Sequence, residues 1–534
     1  MMRPRRAGRR LAAMAADDHD DAAAPADPQP RAPSLLDALA PVVVLIALIA
    51  LTIGLFGVSA TDGPLQVALL LSAAFAALVA FKNGFTVAAV SEAAVGGVTT
   101  AVSAIFILLA VGSLIGTWNM CGTIPTVVDW GIRLLNPSIF YLATCAICAL
   151  VGMVTGSSWT TAGTLGVAFV GMSKVMGLSE ATAAGAVISG AYFGDKMTLL
   201  SETTILVPKL VGRGLTVGQH IKNMLWVSGP ALAISLVLFL ILGLGADTSA
   251  AQSTDEALKV LNSAFNISVL NLLPLALLVC FTVKKAPPFL AIIGSSLCAG
   301  ILACFTQWDN VKAFVDEPGL SPLGVGIKGI YAAMATGYVS KTGNDAIDAL
   351  FSRGGMASLL TTVWLVLAAL SYAAILERAG FLERLLRPIV ARARSRGTLI
   401  AAVNASGIGL NAIAGDQYVA DVLPARMYRD EFARRGIAPE VLSRAVEDSG
   451  TVTSVLIPWN TCGAYISGVL GVSTASYLPY CFFNLASPIL DVLYGFVGFK
   501  VREVPPEDPA SCPPPENGVS APLPVNPLPT TVKP

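Results

Sequence analysis

The residues best placed to do chemistry are Asp195, Lys196 and Glu202, which lie within SGAYFGDKMTLLSETTILVP at positions 189–208, an otherwise apolar stretch. Charged groups are costly at membrane depth and persist there chiefly where they face a cavity or a partner. Gly190 and Gly194 before them, with Ser201, Thr203 and Thr204 after, indicate a helix that breaks midway and restarts. Three other clusters share this character. TGSSWTTAGT at 155–164 offers Ser157, Ser158, Thr160, Thr161 and Thr164, and NAIAGDQYVAD at 411–421 offers Asn411, Asp416, Gln417 and Asp421. The run 445–465 offers Glu447, Asp448, Ser449, Thr451, Thr453, Ser454, Asn460 and Thr461. Hard oxygen donors suit a cation such as Na⁺ better than a sulfur or imidazole site would. A carboxylate in a low dielectric holds its proton more tightly, and can release it when a cation arrives. Interrupted helices add partial charges at their free ends, negative at C-termini and positive at N-termini.

Plainer readings stand beside these. Asp195 and Lys196 could be a structural ion pair near a membrane surface, and Asp421 and Glu377 could be solvated at helix ends. Ser and Thr often bond their own helix or a neighbour, and Trp118, Trp159 and Trp459 could be packing residues. The recurrence of acidic and hydroxyl clusters in four places carries more weight than any single residue.

The elements that must position these groups are membrane helices. Of 534 residues 54% are hydrophobic and 13% charged, with mean hydropathy +0.71, whereas soluble domains carry about 25% charged residues. Apolar runs at 41–56, 65–81, 99–116, 181–211, 224–244, 263–283, 289–305, 356–376, 441–470 and 477–499 approach the roughly 20 residues needed to span a bilayer. The nine cysteines, Cys145 and Cys148 included, lack metal spacing or a redox context, and two histidines, His19 and His220, make a His-based metal centre improbable. No nucleophile–base pair or phosphate loop is visible, so neither an enzyme nor a resident cofactor is expected. The expected partners are lipid and the transported sodium ion and protons, with a homodimer as an open alternative and no nucleic acid.

Stretches 138–176 and 399–427 carry polar, Gly-bearing centres and are read as re-entrant hairpins, because their arms look short for full spans. Lys and Arg concentrate on the cytoplasmic side. The Arg-rich N-terminus, Lys284-Lys285, the arginines at 378–396 and 426–435, and Lys500 with Arg502 therefore put both termini in the cytoplasm of a cell-membrane protein, with one hairpin entering from each side. A weak internal repeat accompanies this. At one offset (436 − 177 = 259) Gly156 falls on Gly415, Trp159 on Tyr418, Val187 on Val446 and Ser201 on Asn460. Five spans and one hairpin per half would make the halves antiparallel. The expected fold is thus an all-α polytopic membrane protein, an inverted-repeat secondary transporter with about ten spans, two re-entrant hairpins and two broken helices. Its expected divisions are an N-terminal tail (1–37), a first repeat (38–250), the first two spans of the second (251–305), a linker with an amphipathic portion (306–355), the rest of the second repeat (356–500) and a Pro-rich tail (501–534).

At these residues the chain resembles the NhaC-type sodium/proton antiporter family. The matching motifs are GTWNMCGTIP (116–125), TGSSWTTAGTLGVA (155–168), SGAYFGDKM (189–197), RGGM (353–356), NAIAGDQY (411–418), AVEDSGTVTSVLIPWNTCGAY (445–465) and YLPYCFFN (477–484). The resemblance implies Na⁺/H⁺ exchange by alternating access, with relatives that move organic anions such as malate and lactate, or amino acids, as the alternative. Together with the clusters it implies an ion or substrate site of Ser157, Ser158, Thr161, Asp195, Ser201, Glu202, Thr203, Asp416, Glu447, Asp448, Asn460 and Thr461, in which Asp195 and Asp448 would hold Na⁺. One departure matters: the family's usual SPLSDTT after GDKM is TLLSETT here, so a proline is missing and Glu202 stands for Asp. The longer side chain and a softer break bear on ion selectivity.

Overall fold

In a computed structural model the described residues are 30–246, 251–341, 343, 348 and 351–505. Most of the two expected tails lies outside them, although residues 35–37 already form a first helical turn. Helices account for the regular structure. Among the described residues the only β contact is an isolated bridge between Ile437 and Glu503.

The first half runs α1 (Leu35–Phe56), α2 (Pro64–Lys82), α3 (Val87–Met120), α4 (Thr123–Leu134), α5 (Phe140–Thr155), α6 (Ser158–Thr161), a π-helical turn (Ala162–Gly166), α7 (Val167–Val175), α8 (Glu180–Lys196), α9 (Glu202–Val211) and α10 (Val217–Leu244). Next come α11 (Ala251–Ala264), α12 (Leu273–Val283), α13 (Pro288–Thr306), α14 (Trp308–Val315) and α15 (Pro322–Ala335). The chain closes with α16 (Leu360–Arg378), α17 (Phe381–Arg392), α18 (Arg396–Ala414), α19 (Gln417–Arg434), α20 (Pro439–Val446), a second π-helical turn (Glu447–Thr451), α21 (Thr461–Leu470), α22 (Thr474–Tyr477) and α23 (Phe482–Val497). Among the described residues eight helices are long and apolar enough to cross a membrane, or up to ten if each of two bent pairs counts as one span. The chain is a multi-pass membrane protein.

The outward faces of the long helices carry unpaired Leu, Ile, Val and Phe, such as Leu36, Val43, Ile46, Leu78 and Ile241, as lipid contact requires. Inward faces are built from small residues. Where α5 crosses α8, a methyl on Gly190 would meet the Cys145 carbonyl at 2.1 Å, and one on Gly194 the Ala149 carbonyl at 2.4 Å. Close backbone approach through glycine is a characteristic glue of membrane helices, which have no hydrophobic drive to associate. The stretch after α15 is held the same way: Gly355 N donates to Gly112 O at 2.6 Å, and Gly354 lies against the Gly116 backbone. The expected linker therefore holds two helices and a strap packed against α3.

Helix boundaries recur 259 residues apart. Helix α9 (202–211) falls on α21 (461–470), the α6–α7 stretch (158–175) falls on α19 (417–434), and the C-terminal residue 155 of α5 falls on 414 of α18. Left-handed glycines recur with them, Gly156 with Gly415, Gly177 with Gly436 and Gly212 with Gly471, all at φ between +65° and +71°. The first arms of the two expected hairpins, Pro137–Thr155 and Arg396–Ala414, are 19 residues each, long enough by length and composition to cross.

Candidate ion site

Each of the four polar clusters sits where a helix is interrupted. Gly156 and Gly415 adopt the left-handed conformation that ends α5 and α18, and Ser157 and Asp416 then cap the next helices, accepting from Thr160 N at 3.2 Å and Val419 N at 3.1 Å. Helix α8 ends at Lys196, and α9 restarts at Glu202 with Ser201 in the cap position. The chain breaks here without the family's proline. In the other half the helix from Pro439 widens into a π turn at Glu447–Thr451, passes through a 3₁₀ turn, and restarts at Thr461 with Asn460 as its cap. Single π turns inside helices concentrate at functional sites.

These segments meet through polar side chains. Asp195 Oδ2 accepts from Ser158 N at 2.9 Å, tying the first break to the 155–164 cluster, and the Ser158 and Ser201 hydroxyls lie beside the same carboxylate. Lys196 reaches the other way and pairs with Asp448, both side chains fully buried. Consecutive residues on a helix point about 100° apart, which is how one acid–base dipeptide serves two partners. The reading of Asp195 and Lys196 as a pair with each other is thereby corrected. Asn460 Nδ2 donates to Asn411 Oδ1 at 3.0 Å, Asn411 Nδ2 donates to Gly450 O at 2.7 Å, and Thr461 Oγ1 donates to Asp416 Oδ2 at 3.4 Å, so the 411–421 cluster is held to the second break. Across the halves Trp159 stacks on Tyr465 with centroids 4.1 Å apart, and Tyr465 donates to Trp159 O at 2.9 Å.

Other expected members do local work or face outward. Thr161 donates to Ser157 O at 3.0 Å, and the Ser201 and Thr203 hydroxyls pair at 3.2 Å. Glu202 is exposed and accepts from Tyr418 OH at 2.5 Å. Trp118 and Trp459 donate to Ser295 Oγ and Ala412 O, as packing residues do when they must satisfy an indole N–H. Glu377 is exposed, whereas Asp421 is fully buried rather than solvated; it accepts from Thr451 at 3.0 Å and lies tight against Gly450.

Three buried residues of this region were not among the sequence candidates. His220 lies in the first turn of α10, bonds Ser443 through Nδ1 and holds Nε2 3.7 Å from Glu447 Oε1. Asp491 takes Arg444 Nε at 2.7 Å and Asn404 Nδ2 at 2.8 Å, and Arg444 is further bonded to Asn223 and Lys500 O, each at 3.2 Å. Asp491 had a readable signal as the lone acid inside FFNLASPILDVLYGFV. His220 had little, standing one turn inside a helix beside Lys222. Around the second break lie four buried carboxylates, Asp421, Glu447, Asp448 and Asp491, and two buried basic side chains, Lys196 and Arg444. Both Glu447 oxygens, Asp421 Oδ1 and Asp448 Oδ2 have no hydrogen-bond partner among the described residues. Buried charge left unpaired is expensive. The arrangement is chemically suited to taking up small positive charges, protons or alkali cations.

The sequence profile of the Na⁺/H⁺ antiporter family matches residues 190–499, more than half of the chain. The Na⁺/H⁺ antiporter NhaC of Alkalihalophilus pseudofirmus is 36% identical over 82% of this chain and 90% of its own length. A malate-2H⁺/Na⁺-lactate antiporter of Bacillus subtilis is 31% identical over 88% of this chain and 96% of that one. An arginine/ornithine antiporter, ArcD, of Halobacterium salinarum is 33% identical over 90% and 96% respectively. With a match of this extent, the chain belongs to the Na⁺/H⁺ antiporter family as an NhaC-type member.

Proposed function

We propose that the protein is a secondary transporter that exchanges cytoplasmic Na⁺ for external H⁺ across the cell membrane by alternating access. The observation that carries this reading is the junction of all four interruptions: Asp195 on the first tip, Lys196 on Asp448 of the second break, and Asn411 and Asp416 on Asn460 and Thr461. In this reading a sodium ion enters among Asp195, Ser158, Asp448 and the second-tip residues, and the charge it brings is offset by loss of a proton from the surplus of buried acids. Glu202, on the surface with Tyr418, stands at the rim.

The same reading makes the two halves antiparallel, with the 157–175 and 416–434 stretches as the returning arms of hairpins and both termini in the cytoplasm. The recurrence of helix ends and left-handed glycines at one offset supports the repeat. An odd number of crossings per half supplies the inversion. Each first arm is long enough to cross, so the hairpin reading rests on the polar, capped tips. Everted vesicles test the function directly. Addition of Na⁺ is expected to collapse a preformed pH gradient in vesicles holding the protein and not in vesicles without it; failure of every alkali cation between about pH 6 and 9, a range around the unperturbed His value, defeats the reading.

A second reading, exchange of organic anions, is favoured by the malate/lactate relative. It would call for a cation to meet the anion's carboxylate. Arg444 is the arginine nearest the break and is engaged by Asp491, Asn223 and Lys500 O. Uptake of labelled malate, lactate and amino acids with and without Na⁺ separates the two.

A further inference from the structure

Lys196 and Asp448 lie 252 positions apart and are both shut off from solvent. A buried ion pair is a weak source of stability, because desolvating both charges offsets most of their attraction. Its surroundings point to another use. Arg444 is fixed by a carboxylate, an amide and a carbonyl, but the Lys196 ammonium makes its one described hydrogen bond to Asp448. An ammonium on a four-carbon stem can re-aim its donors, unlike a guanidinium clamped in a planar fork. Alternative acceptors are near. Both Glu447 oxygens and Asp421 Oδ1 are buried without partners among the described residues. Glu447 adjoins Asp448 in the chain with its Oε1 3.7 Å from His220 Nε2, and Asp421 lies tight against Gly450, two residues beyond Asp448. The titratable and charged groups of the cluster that holds the ammonium are thus Asp448 and Glu447 on the π turn, Arg444 one turn before them, Asp421 on α19, Asp491 on α23, His220 on α10 and Asp195 on its own helix.

We propose that Lys196 is a tethered counter-cation: its ammonium holds the place beside Asp448 that the transported sodium takes, and shifts toward Glu447 and Asp421 when sodium arrives. The proposal rests on the antiport reading and adds to it the group that sodium displaces. No covalent bond to Lys196 changes, since the ammonium keeps its three N–H bonds. The charge gained with one sodium ion is balanced when one proton leaves the acid cluster for water. The two helix breaks are then linked by a bond that exists in the sodium-free state and is exchanged in the loaded one.

The test uses the purified full chain in liposomes. It compares uptake of radioactive sodium driven by a pH gradient with sodium–sodium exchange at equilibrium, in wild type, Lys196→Gln, Lys196→Arg and the double variant Lys196→Gln/Asp448→Asn. Lys196→Gln removes the internal competitor, so half-saturating sodium is expected to fall about tenfold and the ratio of driven to equilibrium exchange to fall about tenfold with it. Lys196→Arg grips the carboxylate with two parallel bonds, and half-saturating sodium is expected to rise about threefold or more. The double variant carries neither charge and is expected to recover folded yield without recovering the ratio. Half-saturation unchanged in both single variants overturns the proposal. So does a double variant that recovers driven uptake, which would make the pair structural. If Lys196→Gln does not fold, Lys196→Arg alone decides. A wild type that shows no gradient-driven uptake of any alkali cation defeats the antiport reading itself, before any variant is compared.

Discussion

A methyl group added at Gly194 tests whether the first break is positioned by the α5–α8 crossing. The ideal Cβ would stand 2.4 Å from Ala149 O, 2.6 Å from Met153 N and 2.7 Å from Gly152 Cα, all backbone atoms that cannot rotate away. Ordinary contact begins near 3.4 Å, so α5 and α8 would have to part by about 1 Å. Overpacking of this kind costs about 1–3 kcal/mol. The functional cost should be larger than the stability cost, because Asp195 is the next residue and its bond to Ser158 N is 2.9 Å. Moved outward by about 1 Å it leaves hydrogen-bond range, and a misplacement of that size can lower a rate about 100-fold. Gly194→Ala is therefore expected to lower the thermal midpoint in detergent modestly and to abolish most Na⁺-dependent collapse of the pH gradient. Gly409→Ala is the matched control: also glycine inside a long helix, it has nothing within 4 Å of the added methyl, and both readouts should stay at wild type. Full exchange by Gly194→Ala, or equal damage from Gly409→Ala, refutes the argument that this crossing sets the site.

Two further outcomes follow from named contacts. Arg444→Gln or Asp491→Asn alone leaves a buried charge unmatched and should cost about 3–5 kcal/mol, seen as lost folded yield, whereas the double variant should recover both yield and exchange; failure of the double variant to restore exchange would make Arg444 more than a brace. Tyr418→Phe removes the donor to Glu202 on an exposed edge and should cost about 1 kcal/mol or less, with exchange retained in the vesicle assay; loss of exchange would bring Glu202 and Tyr418 into the ion path.

How far the sequence foretold this arrangement differs between backbone and side chains. Interruptions were legible because they need special residues: left-handed turns at Gly156 and Gly415, caps at Ser157, Asp416 and Asn460, and charge inside an apolar run at 195–196. Composition and run length were enough for the membrane class. Partner choice was not legible. Asp195 and Lys196 are neighbours in sequence and invite pairing with each other, but the turn of the helix sends one to Ser158 and the other to Asp448. Nor could the fate of Glu202 be read, since a carboxylate after a helix break has the same sequence signature whether it turns into the junction or out to Tyr418. His220 and Asp491 belong to no polar cluster in the sequence, and only packing places them among acids and bases from other helices.

The recurrence at 259 positions sharpens what is symmetric and what is not. The equivalents of Asp421, Arg444, Glu447, Asp448 and Asp491 in the first half are Ala162, Gly185, Ile188, Ser189 and Leu232. None carries charge. In return Asp195 and Lys196 fall on Ser454 and Val455. The helix ends and left-handed glycines recur at this offset, and the charges do not. All four carboxylates of the buried cluster come from the second half, and the cations or proton acceptors reaching into it from the first are Lys196 and His220. A symmetric carrier that rocks about a central ion would hold like groups at both breaks. Here one half supplies an acid surplus and the other a tethered ammonium, so in the proposed exchange Lys196 is the group that links the two helix breaks. This is why the single substitutions at Lys196 probe the coupling of the two halves, whereas Gly194→Ala probes only the placement of one of them.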